Sequence, residues 1–147
     1  MIKLKLTPDD FTQLDGKCNV IRITKVNLEN NIKLIESSIE RFNEEIEWDE
    51  MYDIEEAIKR IQNNNILYIG INNLEVIGHV WFNAYMDGKL LYNLFVRNKI
   101  DHKPCTGKEF VSFVIATYEI NKSIYCEVDN WNEKSLRLFN KLGFKPL

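Results

Sequence analysis

The sequence predicts an α/β (α+β) domain with a central mixed, mostly antiparallel sheet flanked by about four helices. Three observations predict it. The stretches 66–71, 76–82 and 90–97 are rich in β-branched and aromatic residues and are separated by turn residues, which describes an antiparallel meander. The stretches 32–43 and 51–61 repeat apolar residues at helical spacing. From 123 onward the chain reads strand, loop, amphipathic helix and glycine stop. At 147 residues, 45% hydrophobic and 28% charged, the chain is read as a single domain, 1–147, with a core of its own.

Taken in order, residues 2–6 alternate like a short strand or arm. Thr7 and Pro8 open a turn or brief helix through Leu14, and Asp15-Gly16 is another turn. Residues 19–24 alternate with β-branched side chains and form a strand. Asn27–Asn31 supplies capping residues, and Ile32, Leu34, Ile35, Ile39 and Phe42 then mark one helix face through about Asn43. An acidic linker at 44–49 holds Trp48. Met51, Ile54, Ala57, Ile58 and Ile61 mark a second helix, ended by Asn63, Asn64 and Asn65. In the meander, Asn72-Asn73 and Asp87-Gly88 are the hairpin turns. A loop at 98–106, a helix at 107–118, a strand at 123–128 and the closing helix follow. Leu136, Phe139 and Leu142 lie on one face of that helix, Asn130 or Asn132 caps it, and Gly143 ends it.

Composition narrows the function classes. The net charge is −3, yet residues 36–56 hold ten acids and one base, Arg41, so the remainder is basic. Such asymmetry suits a cation on one side and phosphates on the other. The acidic balance and the lack of an aromatic–basic patch argue against nucleic-acid binding. No apolar run is long enough to span a membrane, and the N-terminus lacks the apolar block of a signal peptide. Cys18, Cys105 and Cys126 are scattered and odd in number, which reads as reduced thiols in a cytoplasmic protein. No Cys/His spacing suggests a metal.

The closing stretch carries a more specific pattern. Val128, Asn132, Ser135, Leu138, Phe139, Lys141, Gly143 and Phe144 fall in register on a strand–helix signature that resembles that of the GNAT acyl-CoA N-acyltransferases. The order of elements from Asn19 to the C-terminus resembles that fold too. Two departures stand out. The aromatic position, commonly a tyrosine that protonates the leaving thiolate, is Phe139. The family's further strand after Gly-Phe has no counterpart before Leu147, so the N-terminal arm or a partner chain in a homodimer would cover the sheet edge.

The resemblance implies transfer of an acetyl or other short acyl group from acetyl-CoA to an amine by direct attack. It implies that Leu94, Phe95 and Val96 face the coenzyme, with a backbone N–H near Phe95 or Val96 as oxyanion donor. It places the pyrophosphate at the loop opening the 107–118 helix, where free N–H groups and the helix dipole attract anions. There His102, Lys103, Cys105, Thr106, Gly107 and Lys108 are the candidates, although only Gly107 is kept of the family's glycine pattern and Pro104 has no N–H to give. Arg97 and Lys99 read as solvated surface bases. Asn132 touches the pantetheine or caps the helix, and Phe139 lies beside it. Tyr92 and Glu127 are the acid–base candidates, with Tyr118 and Tyr125 behind them. His79 reads as a satisfied core or surface histidine. The acidic segment with Trp48 and Tyr52 would line the acceptor site and favour a cationic amine: a polyamine, a lysine side chain or an aminated sugar. Two rivals keep the fold: a catalytically degenerate ligand- or protein-binding domain, and a domain serving nucleic-acid modification.

Overall fold

The computed structural model describes residues 1–45, 52–97 and 105–147. Its elements are β1 (Ile2–Leu6), β2 (Asn19–Ile23), α1 (Ile32–Glu45), α2 (Ile54–Gln62), β3 (Ile66–Asn72), β4 (Glu75–Tyr85) and β5 (Gly88–Val96). After them come α3 (Gly107–Val114), β6 (Ile124–Val128), α4 (Glu133–Leu142) and β7 (Lys145–Pro146). The strands form one seven-stranded sheet in the order β2-β3-β4-β5-β6-β1-β7. Every neighbouring pair is antiparallel except β5 and β6. This is the mixed, mostly antiparallel sheet the sequence predicts.

Helices cover both faces, so the central strands must be apolar on both. On β3, Tyr68 packs with Phe110 and Val114 of α3, while Leu67 and Ile69 join Ile35 and Ile39 of α1 and Ala57 and Ile61 of α2. Period-two alternation therefore divides two cores rather than core from water. The α3 helix runs on into a π turn at Ile115–Glu119. There the buried Glu119 accepts a hydrogen bond from Tyr68 and meets Lys89 Nζ at 3.6 Å.

A short further strand does follow Gly143-Phe144, against expectation, but it is β7 of two residues and does not reach β6; the edge of β6 is taken by the N-terminal arm. β1 pairs with the whole of β6, from Ile2 opposite Val128 to Leu6 opposite Ile124, and β7 then pairs with β1. The final helix is capped as expected: Asn132 Oδ1 accepts from Ser135 N at 3.2 Å, and Gly143 ends it at φ 105°. That left-handed φ suits glycine.

Several expectations are corrected. The hairpin turns sit at Asn73-Leu74, both with positive φ, and at Met86-Asp87, one residue away from the positions expected. Gly88 begins β5, and its reason is space: a Cβ there would lie 1.9 Å from the Ser123 carbonyl oxygen. The cysteines are not three free thiols. Cys18 and Cys105 form a disulfide and only Cys126 is free. Pairing across 87 residues depends on the fold and leaves no mark in local spacing. Arg97 is no solvated base: its Nε lies 3.2 Å from Glu45 Oε1. Among the described residues no helix is long and apolar enough to cross a membrane.

Candidate active site

The site begins where two strands part. β5 and β6 pair only at Lys89–Ile124 and Leu90–Tyr125. Both strands run on beyond those rungs, to Val96 and Val128. A β-bulge assists the parting. Trp81 faces Tyr92 and His79 faces Phe95, so Asn93 and Leu94 together oppose Val80. Asn93 adopts φ 52°, a conformation that asparagine tolerates better than most residues. A bulge increases local twist and leaves a backbone group outside the ladder.

A cleft of about 770 Å³ opens beside this parting. Leu90, Leu91, Tyr92 and Asn93 of β5 form one wall, with Glu127 of β6 and Met1 next to them. Tyr52, Asp53, Glu56 and Arg60, at the start of α2 and along it, form the other. The two acid–base candidates, Tyr92 and Glu127, thus share one cleft. Tyr92 donates from its hydroxyl to Asn65 Oδ1 at 2.6 Å, and burial raises its pKa above the ordinary tyrosine value. It is held protonated, which suits a proton donor. Glu127 points outward from β6, opposite Lys3 of β1.

Arg60 is the residue that sequence reasoning missed. Its guanidinium carbon lies 4.6 Å from the Tyr52 ring centroid, 5.0 Å from that of Trp81 and 5.5 Å from that of Tyr92. Its Nε meets Glu56 Oε1 at 3.4 Å, while its Nη1 is buried without a hydrogen-bond partner. The signal available was its position beside Ile61 at the border of the apolar stripe. The Trp81 indole N–H donates to the Tyr52 hydroxyl at 3.2 Å, and burial pushes the Tyr52 pKa up to about 12.

Behind the cleft wall His79 is fully buried. Its Nδ1 lies 2.7 Å from the Ser38 hydroxyl and its Nε2 lies 3.2 Å from Asn93 Oδ1. Burial lowers its pKa to about 3, so the ring is neutral, accepting from Ser38 and donating to Asn93. His79 is a core histidine that braces the bulge.

At the start of α3 the backbone donors are partly spoken for. Thr106 and Glu109 form a capping box: Thr106 N donates to Glu109 Oε2 at 2.8 Å, and Glu109 N to Thr106 Oγ1 at 3.4 Å. Cys105 is buried and bonded to Cys18, so its thiol is not available. Gly107 packs on Val96. The basic side is kept: Lys108 has its pKa lowered by Lys141 beside it and, more weakly, by Arg137. Arg137 pairs with Glu133 at 3.8 Å, while the like charges of Lys108 and Lys141 side by side favour an anion between them.

Other candidates lie elsewhere. Leu94 and Val96 turn to the α3–α4 core, whereas Phe95 is buried against Phe42 of α1 at 5.7 Å. Asn132 serves as the cap. Phe139 is a core residue, its ring 5.1 Å from that of Phe144. Tyr125 donates to Asp87, and Tyr118 lies against Tyr68. Cys126 is buried, which pushes its pKa up to about 12. His102, Lys103, Pro104, Lys99 and Trp48 lie outside the described residues.

No family model matches this chain, and no curated protein matches it. Solved structures do. A GNAT-family acetyltransferase from Bacillus cereus is similar over 87% of this chain and 82% of its own, with a TM-score of 0.61 at 16% identity. An aminoglycoside acetyltransferase from an uncultured soil metagenomic sample, in complex with sisomicin, aligns over 85% of this chain and 86% of its own, with a TM-score of 0.61 at 17% identity. A functionally unknown conserved protein from Staphylococcus epidermidis covers 99% of this chain with a TM-score of 0.59 at 10% identity; the chain spans 57% of that protein's length. With a mixed seven-stranded sheet and four helices among its described residues, this chain has the fold of these GNAT-family structures.

Proposed function

We propose that this chain transfers an acyl group, most simply acetyl, from coenzyme A to an amine acceptor. The observation that carries the reading is the parting of β5 and β6, which opens a cleft holding Tyr92 and Glu127 together. Acetyl-CoA supplies an activated thioester carbonyl. The chain's tasks are to hold its phosphates, polarise that carbonyl, and move two protons.

Lys108, Lys141 and Arg137 meet the phosphate charge, and the N–H groups of Gly107 and Lys108 remain for it at the helix start. The bulge at Asn93 and Leu94 offers the N–H outside the ladder as the oxyanion donor. This moves that role two residues upstream of the Phe95–Val96 position expected from the resemblance. Glu127 takes a proton from the ammonium group, the freed amine forms the new N–C bond as the C–S bond breaks, and the second proton lost from nitrogen replaces, by way of solvent, the one that Tyr92 gives up. Tyr92, kept protonated by burial, gives its proton to the departing sulfur. It fills the part that Phe139 cannot. Asp53, Glu56 and Glu127 supply the negative lining that attracts an ammonium group.

A second reading, a domain that binds its ligand without turnover, draws on the Thr106 N–H spent on Glu109 and on buried Phe139. Calorimetry with acetyl-CoA and a thiol-release assay with a panel of amines separate the two. Binding with amine-dependent thiol release supports the transferase. Binding without release for every amine supports the second reading, and no binding removes both.

A further inference from the structure

We propose that the amine taken by this cleft also carries a carboxylate, and that Arg60 is the residue that reads it. For the reaction this rests on the transferase reading; for binding it stands alone. Arg60 sits on α2 just before Ile61, which is fully buried, so its backbone is anchored in the core. Tyr52, Trp81 and Tyr92 surround its guanidinium at 4.6, 5.0 and 5.5 Å from their ring centroids.

Rings satisfy the faces of a planar guanidinium. They do nothing for its N–H groups, which lie in the plane. Nε has a long contact to Glu56 Oε1 at 3.4 Å, the guanidinium also hydrogen-bonds the Tyr92 side chain, and Nη1 is buried away from the cleft. Arg60 lines the cleft with its side chain 22% exposed, so the guanidinium edge that faces the cleft, and not the buried Nη1, is open to an acceptor atom on a bound molecule. The planar fork of a guanidinium, immobilised by three rings, matches the two oxygens of a carboxylate.

The remaining lining refines the choice. Asp53, Glu56 and Glu127 share the cleft with Arg60. A doubly charged phosphate would meet three carboxylates there, whereas a single carboxylate offset by an ammonium group would not be repelled on balance. An amino acid, or a molecule built like one, meets both conditions. A simple polyamine meets only the ammonium half and leaves the cleft-facing edge of the Arg60 guanidinium without an acceptor.

The test uses pairs that differ only by the carboxylate: L-lysine with cadaverine, L-ornithine with putrescine, and L-phenylalanine with phenethylamine. Thiol release from acetyl-CoA gives kcat/KM, and calorimetry without the coenzyme gives Kd. In at least one pair the acid should be favoured about tenfold or more, the scale of one charge-assisted hydrogen bond to a buried group. Arg60→Gln should bring that ratio to about one, and Arg60→Lys should restore part of it, with thermal melts showing that each variant folds. Equal handling of acid and amine in every pair, or a ratio that survives in Arg60→Gln, overturns the proposal while leaving the transferase reading intact. If no amine releases thiol, the transferase reading fails and the binding ratios decide about Arg60. Absence of binding by every pair member then overturns the proposal as well.

Discussion

Cys18 is bonded to Cys105 across 87 residues of sequence, with the Cα atoms 5.2 Å apart. The bond ties the chain just ahead of β2 to the residue just ahead of the α3 cap, Thr106. Closing so long a loop restricts the unfolded chain, an effect of about 2–4 kcal/mol for a typical disulfide. Reductant should lower the urea midpoint of the wild type and leave the Cys18→Ser/Cys105→Ser double variant unmoved. Equal wild-type midpoints with and without reductant would show that the bond does not form.

The buried His79 makes stability depend on pH. Its pKa is lowered from 6.5 to about 3 in the folded state, chiefly by burial. Between those values the unfolded chain binds the proton and the folded chain does not. Stability is therefore full above 6.5 and declines as pH falls toward 3, by up to about 1.4 kcal/mol per pH unit. Urea titrations at several pH values should show a steeper decline for the wild type than for His79→Gln. Parallel declines would mean that His79 is not held neutral.

Two substitutions probe the chemistry. Glu127→Gln and Tyr92→Phe should each lower kcat/KM by about 100-fold or more, the range of a lost general acid or base. Tyr92→Phe should act mainly on kcat, because the proton reaches sulfur only as the bond breaks. Near-wild-type rates in both variants would remove these residues from the mechanism.

Asn132 separates capping from coenzyme contact. Asn132→Ala removes the bond to Ser135 N and should cost about 1 kcal/mol of stability. Titration of the variant with acetyl-CoA should give an unchanged Kd if the side chain is only a cap. A tenfold weaker Kd at unchanged stability would assign it to the coenzyme instead.

Gly88 gauges how closely β5 approaches the start of β6. A Cβ there would sit 1.9 Å from the Ser123 oxygen, a backbone atom. Gly88→Ala forces the strands apart at their shared rungs and should cost about 1–3 kcal/mol, read as a lowered melting temperature. An unshifted melt would show that the strands give way freely.

The sequence by itself determined the elements and their order, except for the two-residue β7 after Phe144. Apolar spacing located α1, α2 and α4, turn residues located the meander to within a residue, and Asn132 and Gly143 marked both ends of α4. Those signals are local: each depends on residues within a turn or a rung of one another. Tertiary structure decided the rest. The disulfide, the arm laid along β6, the bulge at Asn93 braced by His79, and the aromatic cage around Arg60 all join residues far apart in the chain. Asn93 did interrupt an apolar strand, but nothing local says that His79 will sit beside it. No periodicity encodes which side chains meet across a sheet, because that is fixed only when the two cores close.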